Sequence, residues 1–424
     1  MKILINGINF WPELTGIGKY TGEMAEWLAA RGHEVRVVTA PPYYPMWRIG
    51  EGYAAWRYAI EELDLPRTPA LSRGGRGSIR IYRCPLWVPQ RPSGIKRVLH
   101  NLSFAVSSLP VVLWQGLFWR PDVVWVVAPS LLSGSGGWLA ARLGATSAWL
   151  HIQDFEVDIA FDLGLLRAVW LKRSVLKAER FLMRRFDRVS TISERMLDRL
   201  IVKGVDVSRC VLFPNWANTD AIFPLPTQSS MRKELGISED TVVVLYSGNM
   251  GKKQGLEIMV EVAQTLSGHK DIVFILCGDG VVRIQLMKLA EGFPNILFLP
   301  LQPVERLNEL LNLANIHLLL QRADAADLVF PSKLTGMMAS GRPIVATTHP
   351  NTEIARIVQN HGLIVPPGDG AALATAILHL AGHSEERVML GQAARSFAVR
   401  QWACDQVLER FEKRLLRDAD TTVI

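Results

Sequence analysis

The chain has 424 residues, 49% hydrophobic and 21% charged, with a mean hydropathy of +0.15. That composition excludes a disordered chain, and the length suffices to bury about three quarters of the unfolded surface in two or three domains without disulfides or a structural metal. A formal charge of +7 and a pI near 9.3 call for an anionic partner: nucleic acid, an anionic bilayer surface or a phosphorylated substrate.

From the amino terminus, short β-branched runs alternate with helical periodicity, the pattern of βαβ units and a parallel sheet. Strands are predicted over 2–10, 34–39, 79–84, 123–127, 146–152 and 189–193, with a helix over 20–31. No cleavable export signal precedes the first strand. Residues 41–77, rich in Pro, Tyr, Gly and Arg, read as a long surface excursion. Residues 101–119 carry no charge, nearly the length of a membrane span, but three serines, Pro110, Gln115 and Gly116 dilute their hydrophobicity. They predict a buried or interfacial helix rather than a span. A basic helix is expected over 165–186, suited either to covering the sheet or to docking on an anionic bilayer.

Prolines and asparagines interrupt the pattern over 211–226, as in a linker. The alternation then resumes, with strands over 242–247, 273–277, 296–299, 316–320, 343–346 and 362–365, and a last helical stretch over 385–417 broken near Trp402. The domains read as 1–212, a linker 213–226, a second α/β domain 227–395, and a terminal helix 396–424 packing back on the first. Cys84, Cys210, Cys277 and Cys404 lie far apart with no CxxC pair, which predicts a reduced, cytosolic protein with no metal site.

In doubly wound sheets ligands bind beyond the carboxyl ends of the strands, so the loops there are the candidate sites. After the first strand, Gly16, Gly18 and Lys19 open a helix, either to meet a phosphate or sugar or to make a tight turn. His151 and Asp154 follow a strand of the first domain, and Asp154 is placed to orient the imidazole. In the second domain the loop after the first strand holds Gly248, Asn249, Lys252 and Lys253, and the next holds Gly278, Asp279 and Gly280, with Arg283 close behind. Ser332 is a candidate helix cap beside Lys333, together an anion site. The one Asp-x-Asp, Asp418 to Asp420, lies in a tail expected to fray.

In their order and spacing, LAARGHEVRVVTAPPYYP, PNWANTD, YSGNMGKKQGLE, CGDG and PSKLTGMMASGRPIVA resemble the retaining nucleotide-sugar glycosyltransferases of family 4 over nearly the whole chain. TGIGKYTGEMAEWLAARGHEVRVVTAPPYYP and HIQDFEVD are most similar to the colanic-acid-type exopolysaccharide enzymes, a group of fucosyltransferases. The resemblance implies an α/β GT-B fold, two Rossmann-like doubly wound domains facing a cleft. It implies that His151 touches the donor sugar, that the 248–255 loop meets the diphosphate, and that the 278–280 loop lies near base or ribose. The family pattern has arginine and lysine where this chain has Asn249 and Gln254, so the charge is displaced to Lys252 and Lys253, with Lys253 expected to neutralise the leaving group. Two glutamates usual in the family are replaced by Leu328 and Gly336, leaving Asp327 as the nearest acid.

The expected activity is retaining, metal-independent and cofactor-free transfer of a sugar, fucose from GDP-fucose by the subfamily resemblance, to a lipid-diphosphate-linked glycan. The expected setting is the cytoplasmic face of the plasma membrane, with its anionic surface as partner and no nucleic acid. The rivals are a nucleotide-sugar epimerase, whose acid and base HIQDFEVD would supply, and a basic membrane- or nucleic-acid-binding module.

Overall fold

The computed structural model describes residues 1–13, 16–64, 78–90, 94–128, 131–155, 169–323 and 330–422, without the side chains of 131, 169–172, 253 and 420–422. The chain forms two compact units, Met1–Pro214 with Leu408–Ile424, and Asn215–Val407.

Unit 1 holds eight strands: β1 (Lys2–Asn6), β2 (Glu34–Thr39), β3 (Ala59–Asp64), β4 (Ser78–Arg83), β5 (Val123–Ala128), β6 (Ser147–Ile152), β7 (Arg188–Thr191) and β8 (Cys210–Leu212). They lie in the order β3-β4-β2-β1-β5-β6-β7-β8, parallel except for the β3–β4 pair. Covered on both faces, β5 (VVWVVA) is buried at every residue, which explains its continuous apolar run. The excursion 41–77 therefore contains a strand: β3 (AIEELD) adds an antiparallel edge, stitched to β4 by Arg80–Glu62 and Arg83–Glu61 ion pairs rather than by apolar burial.

The uncharged segment is helical from Gly94 to Trp114 and continues as a π-turn, Gln115–Trp119. It packs on the helix Leu131–Leu143 at glycine contacts: a Cβ on Gly116 would lie 2.6 Å from the Ala140 carbonyl oxygen, and one on Gly136 3.1 Å from Leu109. The combined helix Gly94–Trp119 is, among the described residues, the one long and apolar enough to cross a membrane, and a third of its apolar 18-residue stretch is buried. The basic helix runs over Val169–Met183. The carboxy-terminal helix Cys404–Thr422 does not fray where the Asp-x-Asp lies. Asp418 takes a two-point ion pair from Arg188, both oxygens at 2.8 Å, while Glu412 takes Arg31 and His33.

Unit 2 is a six-stranded parallel sheet: β9 (Val242–Ser247), β10 (Ile272–Cys277), β11 (Ile296–Leu299), β12 (Ile316–Leu319), β13 (Ile344–Thr347) and β14 (Gly362–Val365), in the order β11-β10-β9-β12-β13-β14. The chain leaves β9 toward one edge and returns beyond it at β12, which makes the loops after β9 and β12 the two sides of a topological switch point.

Candidate active site

At the carboxyl edge of unit 2, the two glycine loops form one platform. Gly248 N donates to the Cys277 carbonyl (2.9 Å), Met250 N to that of Asp279 (2.7 Å), and Val282 N to that of Met250 (3.2 Å). The fit requires glycine. Gly278 (φ +139°) would bring a Cβ to 2.1 Å from Gly248 O, and Gly280 (φ +150°) one to 2.4 Å from Met250 O. Asn249 and Lys252 are exposed on the first loop. Asp279 spends its carboxylate on its own turn, accepting from Gly280 N (2.7 Å), and Arg283 opens the helix Arg283–Leu289 with its guanidinium 3.4 Å from Met287 Sδ. The Lys253 side chain and the whole of Asp327 lie outside the described residues.

Lys333 is the group that stands out. Its stem is partly exposed, but its ammonium is buried with no hydrogen-bond partner among the described residues, 3.8 Å from the centre of the Tyr246 ring, and a Cβ on Gly248 would touch its Cδ at 3.6 Å. Burial pushes its pKa down to about 7, because the charge has lost its water and gained only a ring face. Tyr246 donates its hydroxyl to the Asn249 carbonyl (2.7 Å), which fixes that ring under the amine. On β12, His317 is pushed down to about 3 by burial, with Arg342 and Lys333 adding repulsion; its Nδ1 has no partner, while Nε2 meets Ser340 Oγ at 3.1 Å. Gln254 Oε1 and Gln321 Oε1, on the loops after β9 and β12, are also buried and unpartnered.

Each such atom costs about 1–3 kcal/mol; His317 lies within the sheet, whereas Lys333, Gln254 and Gln321 follow strands at the carboxyl edge, where a polar ligand could satisfy them. A cavity of about 330 Å³ opens there, lined by Gly255, Ile258, Gln321, Arg322, Thr347 and Gly368. Ser332 does not cap its helix: its backbone is already helical (φ −57°, ψ −26°) and its side chain makes no capping bond. Sequence reasoning missed Tyr246, His317 and Gln321; a lone tyrosine closing an otherwise aliphatic strand was the available signal.

In unit 1, His151 lies at the end of β6 and inside the core. It stacks on Trp125 (ring centres 5.2 Å apart, 23°) and meets Phe213 edge-on, while Phe411 closes over Trp125 and Phe213. Both nitrogens are engaged. Gln153 Nε2 donates to His151 Nε2 (3.1 Å), which leaves Nδ1 to carry the proton toward Ser190 Oγ (2.9 Å), and Trp149 Nε1 donates to the same hydroxyl (2.8 Å). Burial pushes its pKa to about 3, so the ring is neutral at physiological pH. Asp154 is not its orienting partner; Ser190 and Gln153 are, because the strand turns the imidazole into the sheet's aromatic layer, while the pKa of Tyr44 is raised by burial and then by the Asp154 charge.

At the helix Gly16–Ala30, Glu13 takes the place an external anion would need. Its carboxylate is buried and accepts from Tyr43 N, Tyr44 N and Asn9 Nδ2, each at 2.9 Å, and a Cβ on Gly18 would fall 2.7 Å from Glu13 Cβ. Gly18 thus answers to packing, and Lys19 pairs along the helix with Glu23 (3.7 Å). Among the described residues one group has metal-ligand spacing, His379, His383 and Glu386, at the junction of the helices Gly370–Gly382 and Ser384–Trp402 and not at the glycine loops.

Residues 15–216 match the glycosyl transferase 4-like domain family, and residues 241–383 match the glycosyl transferases group 1 family. The chain is 40% identical to the putative colanic acid biosynthesis glycosyl transferase WcaI of Escherichia coli (strain K12), over 97% of this chain and 98% of that one. Among solved structures it is similar in fold to sucrose-phosphate synthase of Thermosynechococcus elongatus (TM-score 0.73, 17% identity, 99% of each chain covered). Anabaena HepE, solved in complex with UDP, is also similar (TM-score 0.69, 15% identity, 98% of this chain and 100% of that one).

Proposed function

Since the chain belongs to the group 1 glycosyltransferases with a glycosyl transferase 4-like amino-terminal unit, we propose that it moves a sugar from a nucleoside diphosphate, bound at the carboxyl edge of unit 2, to a lipid-diphosphate-linked glycan in exopolysaccharide assembly. The observation that carries this reading is the Lys333 ammonium, buried beside the glycine platform and without a partner among the described residues. Where the family pattern puts arginine and lysine, this chain has Asn249 and Gln254. A buried cation aimed at the same edge supplies the charge that a departing diphosphate needs, in a place where low dielectric strengthens it. An anion there would also restore the proton that burial disfavours.

The proposed stereochemical course is retention, and GDP-fucose is the donor to test first, by the subfamily resemblance. His151, neutral and held from both sides, serves in this reading as a rigid part of unit 1 rather than as a proton carrier. The likeness to a putative colanic acid biosynthesis glycosyl transferase supports the biosynthetic setting, and the UDP bound in HepE supports the donor class.

We further propose that the enzyme sits on the cytoplasmic face of the plasma membrane. Exposed Leu109, Trp114, Leu139 and Phe181 lie on adjoining helices beside exposed Arg173, Lys177, Arg180, Arg184 and Arg185, the mixture an anionic interface binds, at about 1 kcal/mol per basic residue. The test of the enzymatic reading is a thermal-shift series with GDP, UDP and ADP. Stabilisation, largest with GDP, is expected; no response to any of the three contradicts a nucleotide site.

A further inference from the structure

The helices Gly370–Gly382 and Ser384–Trp402 meet at His383 with no loop between them. His379 lies in the last turn of the first helix and His383 four residues on, a spacing that sets the two rings beside each other, their centres 4.3 Å apart and their planes inclined at 27°. Glu386 comes from the first turn of the second helix and brings Oε2 to 2.7 Å from His379 Nε2. One ligand atom from each of the three lies within 4.8 Å of the others. Bonds of about 2.1 Å set such atoms roughly 3.4 Å apart around a tetrahedral metal, so the widest gap has about 1.4 Å to close, and the side chains are exposed enough to move that far.

The junction's backbone prepares the second imidazole. His383 Nδ1 lies 2.6 Å from the His379 carbonyl, which can only accept, so Nδ1 carries the proton and Nε2 keeps the lone pair. A carbonyl behind the ring is the usual way a metal-binding histidine is oriented. His383 precedes the second helix without capping it, so its side chain is not spent there. Arg387, the nearest basic residue along the chain, is committed to the Leu380 and Ala381 carbonyls at the end of the first helix. A His379–Glu386 ion pair accounts for two of the three groups. It leaves unexplained the second ring, stacked on the first with its tautomer fixed. Two imidazoles and one carboxylate suit zinc and its neighbours, whereas magnesium and calcium take oxygen ligands.

We propose that His379, His383 and Glu386 bind one divalent transition-metal ion of the zinc type, with water completing its coordination, and that the ion clamps the two helices together. The clamp bears on the donor half of the molecule. From the helix Ser384–Trp402, Arg395 donates to the Ile222, Thr219 and Ala339 carbonyls (2.6, 2.9 and 2.9 Å), and Ala339 ends the helix that begins at Lys333. The ion's role is structural, and sugar transfer stays metal-independent in the reading above.

Calorimetric titration of the untagged full chain, first stripped with chelator, with zinc chloride and with magnesium chloride tests it. One zinc per chain is expected, bound roughly 100-fold or more tightly than magnesium and raising the melting temperature. Cobalt in its place is expected to show the intense visible bands of a four-coordinate site. His379→Ala and Glu386→Gln are expected to weaken zinc by about 10-fold or more and to remove the cobalt bands, while melting close to the wild type in chelator. Glu385→Gln, which neutralises the neighbouring exposed carboxylate, is expected to change none of these readouts. Comparable zinc and magnesium affinities would leave a surface ion pair only. Wild-type zinc binding in both variants would place the ion on the free thiols or other histidines, and an equal loss in Glu385→Gln would report surface charge alone; each of the three overturns the site. None of these readouts passes through the nucleotide site, so the donor reading stands or falls separately.

Discussion

His151 and Lys333 both belong to the carboxyl edges of parallel sheets, and burial disfavours the charged form of each. Their surroundings differ in kind. The imidazole of unit 1 is bonded at both nitrogens and packed against Trp125 and Phe213, while the ammonium of unit 2 has a ring face and, among the described residues, nothing to bond. A satisfied buried group adds rigidity and asks for no further ligand. An unsatisfied one lowers stability until an anion arrives, and that cost becomes binding energy when it does. The contrast places the anion chemistry in unit 2 and leaves unit 1 the more finished surface.

The glycines of the two edges can break this contrast most forcefully. Gly278→Ala drives a Cβ into the Gly248 carbonyl at positive φ, where only backbone could yield, and is expected to cost unit 2 about 3 kcal/mol or more and to abolish its nucleotide response. Gly18→Ala in unit 1 meets the Glu13 side chain, which can shift, and is expected to cost roughly 1 kcal/mol. Equal losses of melting temperature in the two variants would show that the platform is no tighter than the turn. A second effect, shared by both units and absent at neutral pH, concerns acid. His151 and His317 have folded pKa values of about 3 against an ordinary 6.5, so between those values the unfolded chain binds more protons. Stability is therefore complete above pH 6.5 and falls as pH drops toward 3, by roughly 1.4 kcal/mol per pH unit for each histidine. Replacing His317 with Asn is expected to flatten the acid limb of a pH series of denaturant melts; an unchanged limb would contradict its burial as a neutral ring.

Much of this fold is legible in the sequence because parallel strands buried on both faces must be continuous apolar runs, as in β5, β9 and β10. The strands that escape are those made otherwise. β3 is held by charge pairs across an edge and shows no apolar alternation, and β8 is three residues long. The glycine platform could be located from its place after strands, and its departure from the family pattern at Asn249 and Gln254 could be read directly. That Lys333 has no partner among the described residues could not, since this depends on Tyr246, 87 positions earlier, lying beneath it. The enclosure of His151 was hidden for the same reason: the aromatic layer around it is completed by Phe411, from the far end of the chain. Ser332 had the composition of a cap without its backbone angles, and Asp418 looked free only until Arg188 was placed beside it.

The central claim, that Lys333 receives the donor's diphosphate, is tested by titrating GDP calorimetrically at pH 8 in two buffers of different ionisation enthalpy, for the wild type and for Lys333→Met. With a free-state pKa of about 7 the amine is mostly neutral at pH 8, and an anion beside it raises that value. The wild type is therefore predicted to take up close to one proton on binding, and Lys333→Met to take up none while binding about 10²-fold more weakly. Heats that do not depend on the buffer, or undiminished affinity in Lys333→Met, would contradict it.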